Sequence, residues 1–334
     1  MVVRKISYYR VIVSLCLFMF LLSPVFGDEI SAVSFDKELS ENNIVMIQPD
    51  SLRILHNPLT GWVLYASMGV DAADFWAQYD HMYIPELGHN VSVTDYAHTL
   101  YIRASWTDFN PQEDVYGWKI DSNLRAYIEG AYQRNMRLAF RVVVDSRDKR
   151  TEFTPQFVKD AGAKGFMNKG KWSPYSDDPV FQKYYTKFVK ALAKDFNDPS
   201  KVEFIDGFGL GKWGEYHTMI YSTGDDTPKK AVFDWVTDIY SQAFDKVPVV
   251  INYHRWIGAG KDWVDDEHFA ADSEEMLEEA IKKGYSLRHD AFGMTTYYGS
   301  WERRFAKKYR NICPIIMEGG WIVKSHSYWQ DPRG

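Results

Sequence analysis

Seven short apolar runs alternate with stretches of helical periodicity along this 334-residue chain, and that alternation constrains its fold more than any other feature. The runs occupy residues 61–67 (GWVLYAS), 98–106 (HTLYIRASW), 137–145 (RLAFRVVVD), 201–209, 247–254 (VPVVINYH), 286–294 and 313–318 (CPIIME). Helical segments are expected at 72–79, 122–134, 179–196, 228–244, 273–283 and 301–310, with Gly284 as a C-terminal stop. A strand that is apolar on both faces, as 137–145 is, belongs to a parallel sheet covered by helices. The expectation is therefore a (β/α)8 barrel, with a doubly wound open sheet as the alternative. The seventh strand leaves 16 residues after Glu318, too few for another helix and strand. The barrel is read as truncated after the seventh strand, because an open one would leave strand edges unpaired.

The N-terminus carries an address. Arg4, Lys5 and Arg10 precede an apolar run at 11–22, and Val25-Phe26-Gly27 has the small residues of a signal-peptidase site. Twelve residues rise roughly 18 Å as a helix, short of a membrane core of about 30 Å. Residues 1–27 are read as a cleaved secretory signal rather than a membrane anchor, followed by a lead segment at 28–56 and one catalytic domain at 57–334. Cleavage removes three positive charges and takes the net charge from −6 to −9. It also leaves Cys313 alone, so no intrachain disulfide forms, as suits a protein of the bacterial envelope or medium. An acidic chain lacks the basic face that a nucleic acid needs, so no such partner is expected, nor a membrane beyond the signal. The 16% aromatic content suits either a large core or a cleft that stacks sugar rings.

Active sites of such barrels gather at the C-terminal ends of the strands. The second strand ends there in Arg103, Trp106 and Asp108, and the third in Arg141 and Asp145. The fourth runs into Gly211-Lys212-Trp213-Gly214-Glu215-Tyr216-His217, the fifth gives Asn252, Tyr253 and His254, the sixth Met294, Thr295 and Tyr297, and the seventh Met317-Glu318-Gly319-Gly320-Trp321. Glu215 and Glu318 both sit in Gly/Trp turns, on strands that face each other across a barrel mouth. Two carboxylates about 5 Å apart perform retaining glycoside hydrolysis, one protonating the leaving oxygen and the other attacking the anomeric carbon. Nearby rings such as Trp213 and Trp321 would raise the pKa of the acid by desolvation.

At these residues the chain resembles the clan of (β/α)8 retaining glycosidases that includes the family 5 and family 42 enzymes. The stretch WTDFNPQEDVYGWKID at 106–121 is similar to the passage after strand two in family 42-like β-galactosidases. Asn57-Pro58-Leu59-Thr60-Gly61-Trp62 and the Gly211-to-His217 turn look like those of a group of secreted bacterial glycosidase-like barrels. The resemblance spans roughly residues 57–321 and implies Glu215 as acid/base, Glu318 as nucleophile, a poly- or oligosaccharide substrate (β-galactosides among the candidates) and no cofactor. Arg103, Trp106, Arg141, Trp213, His217, Asn252, His254, Tyr297 and Trp321 are the expected substrate-binding residues. The clan carries Asn immediately before the acid/base, whereas Gly214 stands here, so His217 or Asn252 would have to meet the sugar 2-hydroxyl.

Plainer readings stand beside these. Glu215 taken alone has a solvated turn residue as its plainer alternative, whereas Glu318 directly follows an apolar strand, where a charge is costly without a task. Arg103 and Arg141 within apolar strands need partners, either Asp145 or Glu318. Trp106, Trp213 and Trp321 divide between core and sugar platform. Other function classes are a non-catalytic carbohydrate-binding barrel and an inverting hydrolase with the same pair. Metal chemistry has no H-E-x-x-H, no cysteine cluster and no suitable histidine pair behind it, and no P-loop or dinucleotide fingerprint occurs.

Overall fold

Parallel strands buried on both faces need helices on one side and each other's side chains on the other, and the chain builds its wall that way. The structure, a computed structural model, describes residues 61–66, 68–85, 87–148, 150–260, 267–292 and 297–319. In chain order the strands are β1 (Trp62–Ala66), β2 (Met82–Ile84), β3 (His89–Val91), β4 (Ala97–Ser105), β5 (Arg137–Val143), β6 (Gly165–Asn168), β7 (Lys171–Pro174), β8 (Val202–Asp206), β9 (Val249–Asn252), β10 (Ser286–Phe292) and β11 (Ile315–Gly319). The helices are α1 (Ala72–Asp80), α2 (Trp106–Phe109), α3 (Gly117–Ile120), α4 (Ser122–Gln133), α5 (Gln156–Asp160), α6 (Pro179–Phe196), α7 (Lys229–Ala243), α8 (Glu267–Lys282) and α9 (Ser300–Tyr309).

Seven strands pair in parallel in the order β1-β4-β5-β8-β9-β10-β11, while β2-β3 and β6-β7 are separate hairpins. The order follows the chain without reversal, so the switch point of a doubly wound sheet is missing and that alternative falls. Tyr65 of β1, Tyr101 of β4, Phe204 of β8, Arg288 of β10 and Ile316 and Glu318 of β11 line one cavity of about 460 Å³. The sheet therefore curls until its first and last strands face the same space, as seven strands of a (β/α)8 barrel wall do.

Period-two alternation divides the layers. Leu100, Ile102, Leu138, Phe140, Ile205, Ile251 and Leu287 face outward into the core beneath the helices. Tyr101, Ala139, Phe204 and Val250 face inward and form a floor, with Ile316 against them. Burying each large apolar side chain contributes about 1.5–3 kcal/mol, which is why a one-residue register slip is prohibitive. Two residues further along, the register sets Arg103 beside Arg141 and Arg141 beside Asp206. A charged layer thus stands directly on the apolar floor.

Helix α6 shows how the cover is made. Pro179 opens it, the Asp178 carboxylate accepts the Phe181 N–H at 2.8 Å, and Phe181, Tyr185, Phe188, Val189, Leu192 and Phe196 form its buried face. Trp106 belongs to this layer and not to the mouth. It is fully buried, with the rings of Phe157, Phe181, Tyr185 and Phe188 at 5.2–6.3 Å. The expectation that it binds substrate is overturned, because Arg103 and Ser105 point inward and Trp106, the next residue, points out. Asp108 caps α2 in a reciprocal pair with Ser105, which accounts for its place after the strand.

Helix α8 starts at Glu267, six residues before the expected start at Ser273. Asp272 and Ser273 therefore sit within the helix, where Ser273 accepts the Ile257 N–H at 2.9 Å and Asp272 pairs with Lys229 at 2.7 Å. The segment 146–178 carries α5 and the β6–β7 hairpin, which is tied to the chain just after β5 by a Ser173-to-Asp145 hydrogen bond of 3.2 Å. Among the described residues no helix is long and apolar enough to cross a membrane. The signal and lead segments, residues 57–60, Met294, Thr295 and Trp321 lie outside the described residues.

Candidate active site

Arg141 is the centre of the charged layer. It projects inward from β5, two residues above Ala139 of the floor, and is 2% exposed. Its Nε reaches Asp206 at 2.9 Å, Nη1 reaches Glu215 at 3.0 Å and Nη2 reaches Asp290 at 2.7 Å. One planar guanidinium thereby satisfies carboxylates from three segments, which the compact ammonium of a lysine would not do. Arg288 of β10 repeats the theme, with Nε 2.8 Å from Asp206 and Nη1 against both Asp290 and, at 3.0 Å, Glu318. Tyr101 donates to Asp206 at 2.9 Å and Asn252 Nδ2 donates to Asp290. Buried arginines with this many partners are tolerated, whereas removing one partner leaves an uncompensated charge.

Glu215 is delivered by a turn of unusual backbone. Gly209 and Gly211 have φ of 75° and 73°, and Trp213, Tyr216 and Thr218 are left-handed without being glycine. A Cβ on Gly209 would lie 2.2 Å from the Val142 carbonyl oxygen, so the strand-to-turn corner requires glycine. The strained residues are pinned. Tyr216 N–H donates to Leu210 O at 2.9 Å, Gly258 N–H donates to Tyr216 O at 2.8 Å, and the Trp213 carbonyl accepts from Arg103 at 3.3 Å. His254 holds Glu215 itself. Its Nδ1 accepts the Trp256 N–H at 3.1 Å, which leaves Nε2 to donate to the Glu215 carbonyl at 2.7 Å. Burial pushes the His254 pKa down to about 3, so this tautomer is neutral. His217 Nε2 lies 3.3 Å from the Glu215 carboxylate and its Nδ1 meets Thr218 Oγ1 at 2.9 Å.

The Glu215 carboxyl is pushed up to about 7, by burial first and then by the negative charge of Asp290, against the pull of His217 and Arg141. Glu318 is raised further, to about 9, by desolvation in the mouth and then by the negative charge of Asp290, with Arg141 opposing. Its side chain is 41% exposed, more than the 16% of Glu215.

Of the residues expected from the sequence, Arg103, Arg141, Trp213, Glu215, His217, Asn252, His254 and Glu318 meet at this mouth. Trp213 is half-buried there, under the Lys212 ammonium at 4.2 Å and 5.4 Å from the His217 ring. Tyr297 is half-buried in the loop after β10, and Trp321 lies outside the described residues. Asp145 is not the partner of Arg103 or Arg141, as its carboxylate binds Arg147. Three members were missed: Asp206, Arg288 and Asp290. The signal was present, since Arg288 and Asp290 are charged residues on alternate positions of an apolar strand, the same pattern that marks Arg103 and Arg141.

No protein-family model and no curated protein matches the chain. Among solved structures it is similar to the exo-β-1,4-mannosidase Op5Man5 from Opitutaceae bacterium strain TAV5, with a TM-score of 0.46 and 15% identity over 84% of this chain and 50% of that one. Endo-glycoceramidase II from Rhodococcus sp. follows at a TM-score of 0.41 and 12% identity, covering 75% of this chain and 68% of that one. The intracellular xylanase TsXylA from Thermoanaerobacterium saccharolyticum gives 0.40 and 9%, over 79% and 88%.

Proposed function

We propose that the chain is a secreted glycoside hydrolase that cleaves a poly- or oligosaccharide by double displacement, with Glu318 as nucleophile and Glu215 as acid and then base. The observation that carries this reading is that Glu215 and Glu318, from opposite sides of the wall, enter one network through Arg141, Asp290 and Arg288. In the first step a Glu318 oxygen bonds to the anomeric carbon while the C–O bond to the leaving group breaks, and the Glu215 proton goes to the departing oxygen. In the second, Glu215 takes a proton from water, the water oxygen attacks the same carbon, and Glu318 is released.

The raised proton affinity of Glu215 suits a group that must give and regain a proton near neutral pH. With Gly214 where the clan has Asn, a donor to the sugar 2-hydroxyl has to come from elsewhere. Asn252 Nδ2 is committed to Asp290, so His217, directly facing Glu215, is the better candidate. The test is hydrolysis of a panel of aryl glycosides by the full chain and by Glu318→Gln. Loss of turnover in the variant supports the reading, and full activity on a substrate the wild type cleaves refutes it.

A further inference from the structure

Arg141 and Arg288 between them touch four carboxyl groups, those of Asp206, Asp290, Glu215 and Glu318. With Arg103 of the same layer, three guanidinium charges against four carboxylates leave one negative charge in excess, in a mouth where a net charge is expensive. The cheapest neutralisation is a proton, and the contacts decide where it sits. Asp206 Oδ2 accepts from Tyr101 and Arg141 and lies 2.8 Å from the Arg288 Nε cation. Glu215 faces the Arg141 cation and the His217 ring. Asp290 takes Arg141 and Arg288 on Oδ1 and Asn252 on Oδ2, so both its oxygens are acceptors already in use. Among the described residues Glu318 has one cationic contact, Arg288 Nη1, whose other acceptor is Asp290 Oδ1, so the two carboxyl groups stand side by side on one nitrogen. Two carboxyl groups set side by side on one nitrogen repel as anions and attract only if one carries a hydrogen.

We propose that Asp290 is a positioning residue that shares one proton with Glu318, holding Glu318 as the carboxylic acid in the substrate-free site. The titratable and charged groups that act on Glu318 are Tyr65 on β1, Tyr101 on β4, Arg141 on β5, Glu215 in the turn after β8, and Arg288 and Asp290 on β10. Of these Asp290 is the carboxyl that shares an arginine nitrogen with it. The raised proton affinity of Glu318 agrees with the pairing.

Joined to the hydrolase reading, on which this part rests, the pair sets the order of events. Attack by Glu318 requires its ionised form, and protonation of the leaving oxygen requires Glu215 in its acid form. One proton moving from Glu318 to Glu215 produces both at once, with the total charge unchanged. The active form therefore holds one proton over the site, and Asp290 sets the pH window in which that count holds. Removing its charge weakens the hold of Glu318 on the proton, so the window moves to lower pH.

The experiment is a carbon-13 NMR titration of the full chain labelled at the glutamate carboxyl carbon, with Glu318 identified by the signal lost in Glu318→Gln. The expected result is a Glu318 carbon that titrates above neutral pH and that Asp290→Asn moves down by about one pH unit or more. An ordinary carboxylate titration of Glu318 in the wild type overturns the proposal, even if Asp290→Asn does not fold. So does a folded Asp290→Asn in which Glu318 titrates as before. Where a glycoside is turned over, both limbs of the kcat/KM profile shift to lower pH in Asp290→Asn, and Asp290→Glu restores them towards the wild-type positions. If no glycoside is turned over, the hydrolase reading fails alone, because the titration needs no substrate.

Discussion

The turn after β8 and the tip of β11 each present a glutamate to the same mouth, and they hold it by opposite means. Glu215 is fixed at its backbone by the neutral His254 and at its carboxylate by Arg141 and His217, on a turn of left-handed residues that has little freedom. Glu318 stands on the last strand of the wall, more exposed, with a shared arginine on one side and a carboxylate on the other. The difference teaches that two carboxyls with raised proton affinity need not be alike. One is a group in a built cradle, whose protonation is tuned by burial against cations. The other is raised by burial and by the carboxyl that shares its arginine.

The largest effect should separate the two directly. Glu318→Gln is expected to abolish turnover on every glycoside. Glu215→Gln should lose about 10²–10⁴-fold on substrates with poor leaving groups and much less on activated aryl glycosides, which need little protonation. Steady-state rates on paired substrates check this, and equal losses on both would erase the distinction. Arg141→Met strikes the group common to both arms. It leaves Asp206, Asp290 and Glu215 without their shared cation, and a loss of about 3–5 kcal/mol is expected in denaturant unfolding.

Smaller effects address one arm at a time. His254→Ala removes the donor to the Glu215 carbonyl, at about 1–3 kcal/mol of stability. It should lower kcat more than it changes KM, while leaving the Glu318 titration in place. Stability against pH gives the last comparison. Glu215 and Glu318 bind protons more tightly folded than unfolded, from a reference of 4.5 to about 7 and about 9. Their contribution is full below the unfolded value and is lost as pH rises through the folded ones. His254, at about 3 against 6.5, works in the other direction and weakens the fold as pH falls through that interval. Melting curves of Glu318→Gln should accordingly fall less steeply towards alkaline pH than those of the wild type.

Much of this arrangement was legible in the sequence, for a physical reason. Period-two alternation within apolar runs fixes which residues face inward, so Arg141 in RLAFRVVVD and Glu318 in CPIIME could be placed before any coordinates. The same rule, applied to β10, would have brought out Arg288 and Asp290. The apolar run reads on to residue 294, whereas the strand ends at Phe292 and its chemistry lies earlier. Trp106 was misplaced by the converse error. Standing at a strand's end it reads as part of the mouth, yet its position in the alternation turns it to the helices. The cradle of Glu215 was not legible, because left-handed φ at Trp213, Tyr216 and Thr218 is imposed by tertiary hydrogen bonds and not by local preference. Nor was the β6–β7 hairpin, whose four-residue strands carry no clear apolar alternation.

The central claim is that Glu318 attacks the sugar while Glu215 handles the proton, and covalent trapping tests it most directly. The full chain would be incubated with a panel of activated 2-deoxy-2-fluoro glycosides, digested and sequenced by mass spectrometry. The account predicts one added sugar on the peptide that carries Glu318. A sugar on Glu215, Asp290 or any other residue would contradict it, as would turnover of the matching unfluorinated substrate with no trapped sugar at all.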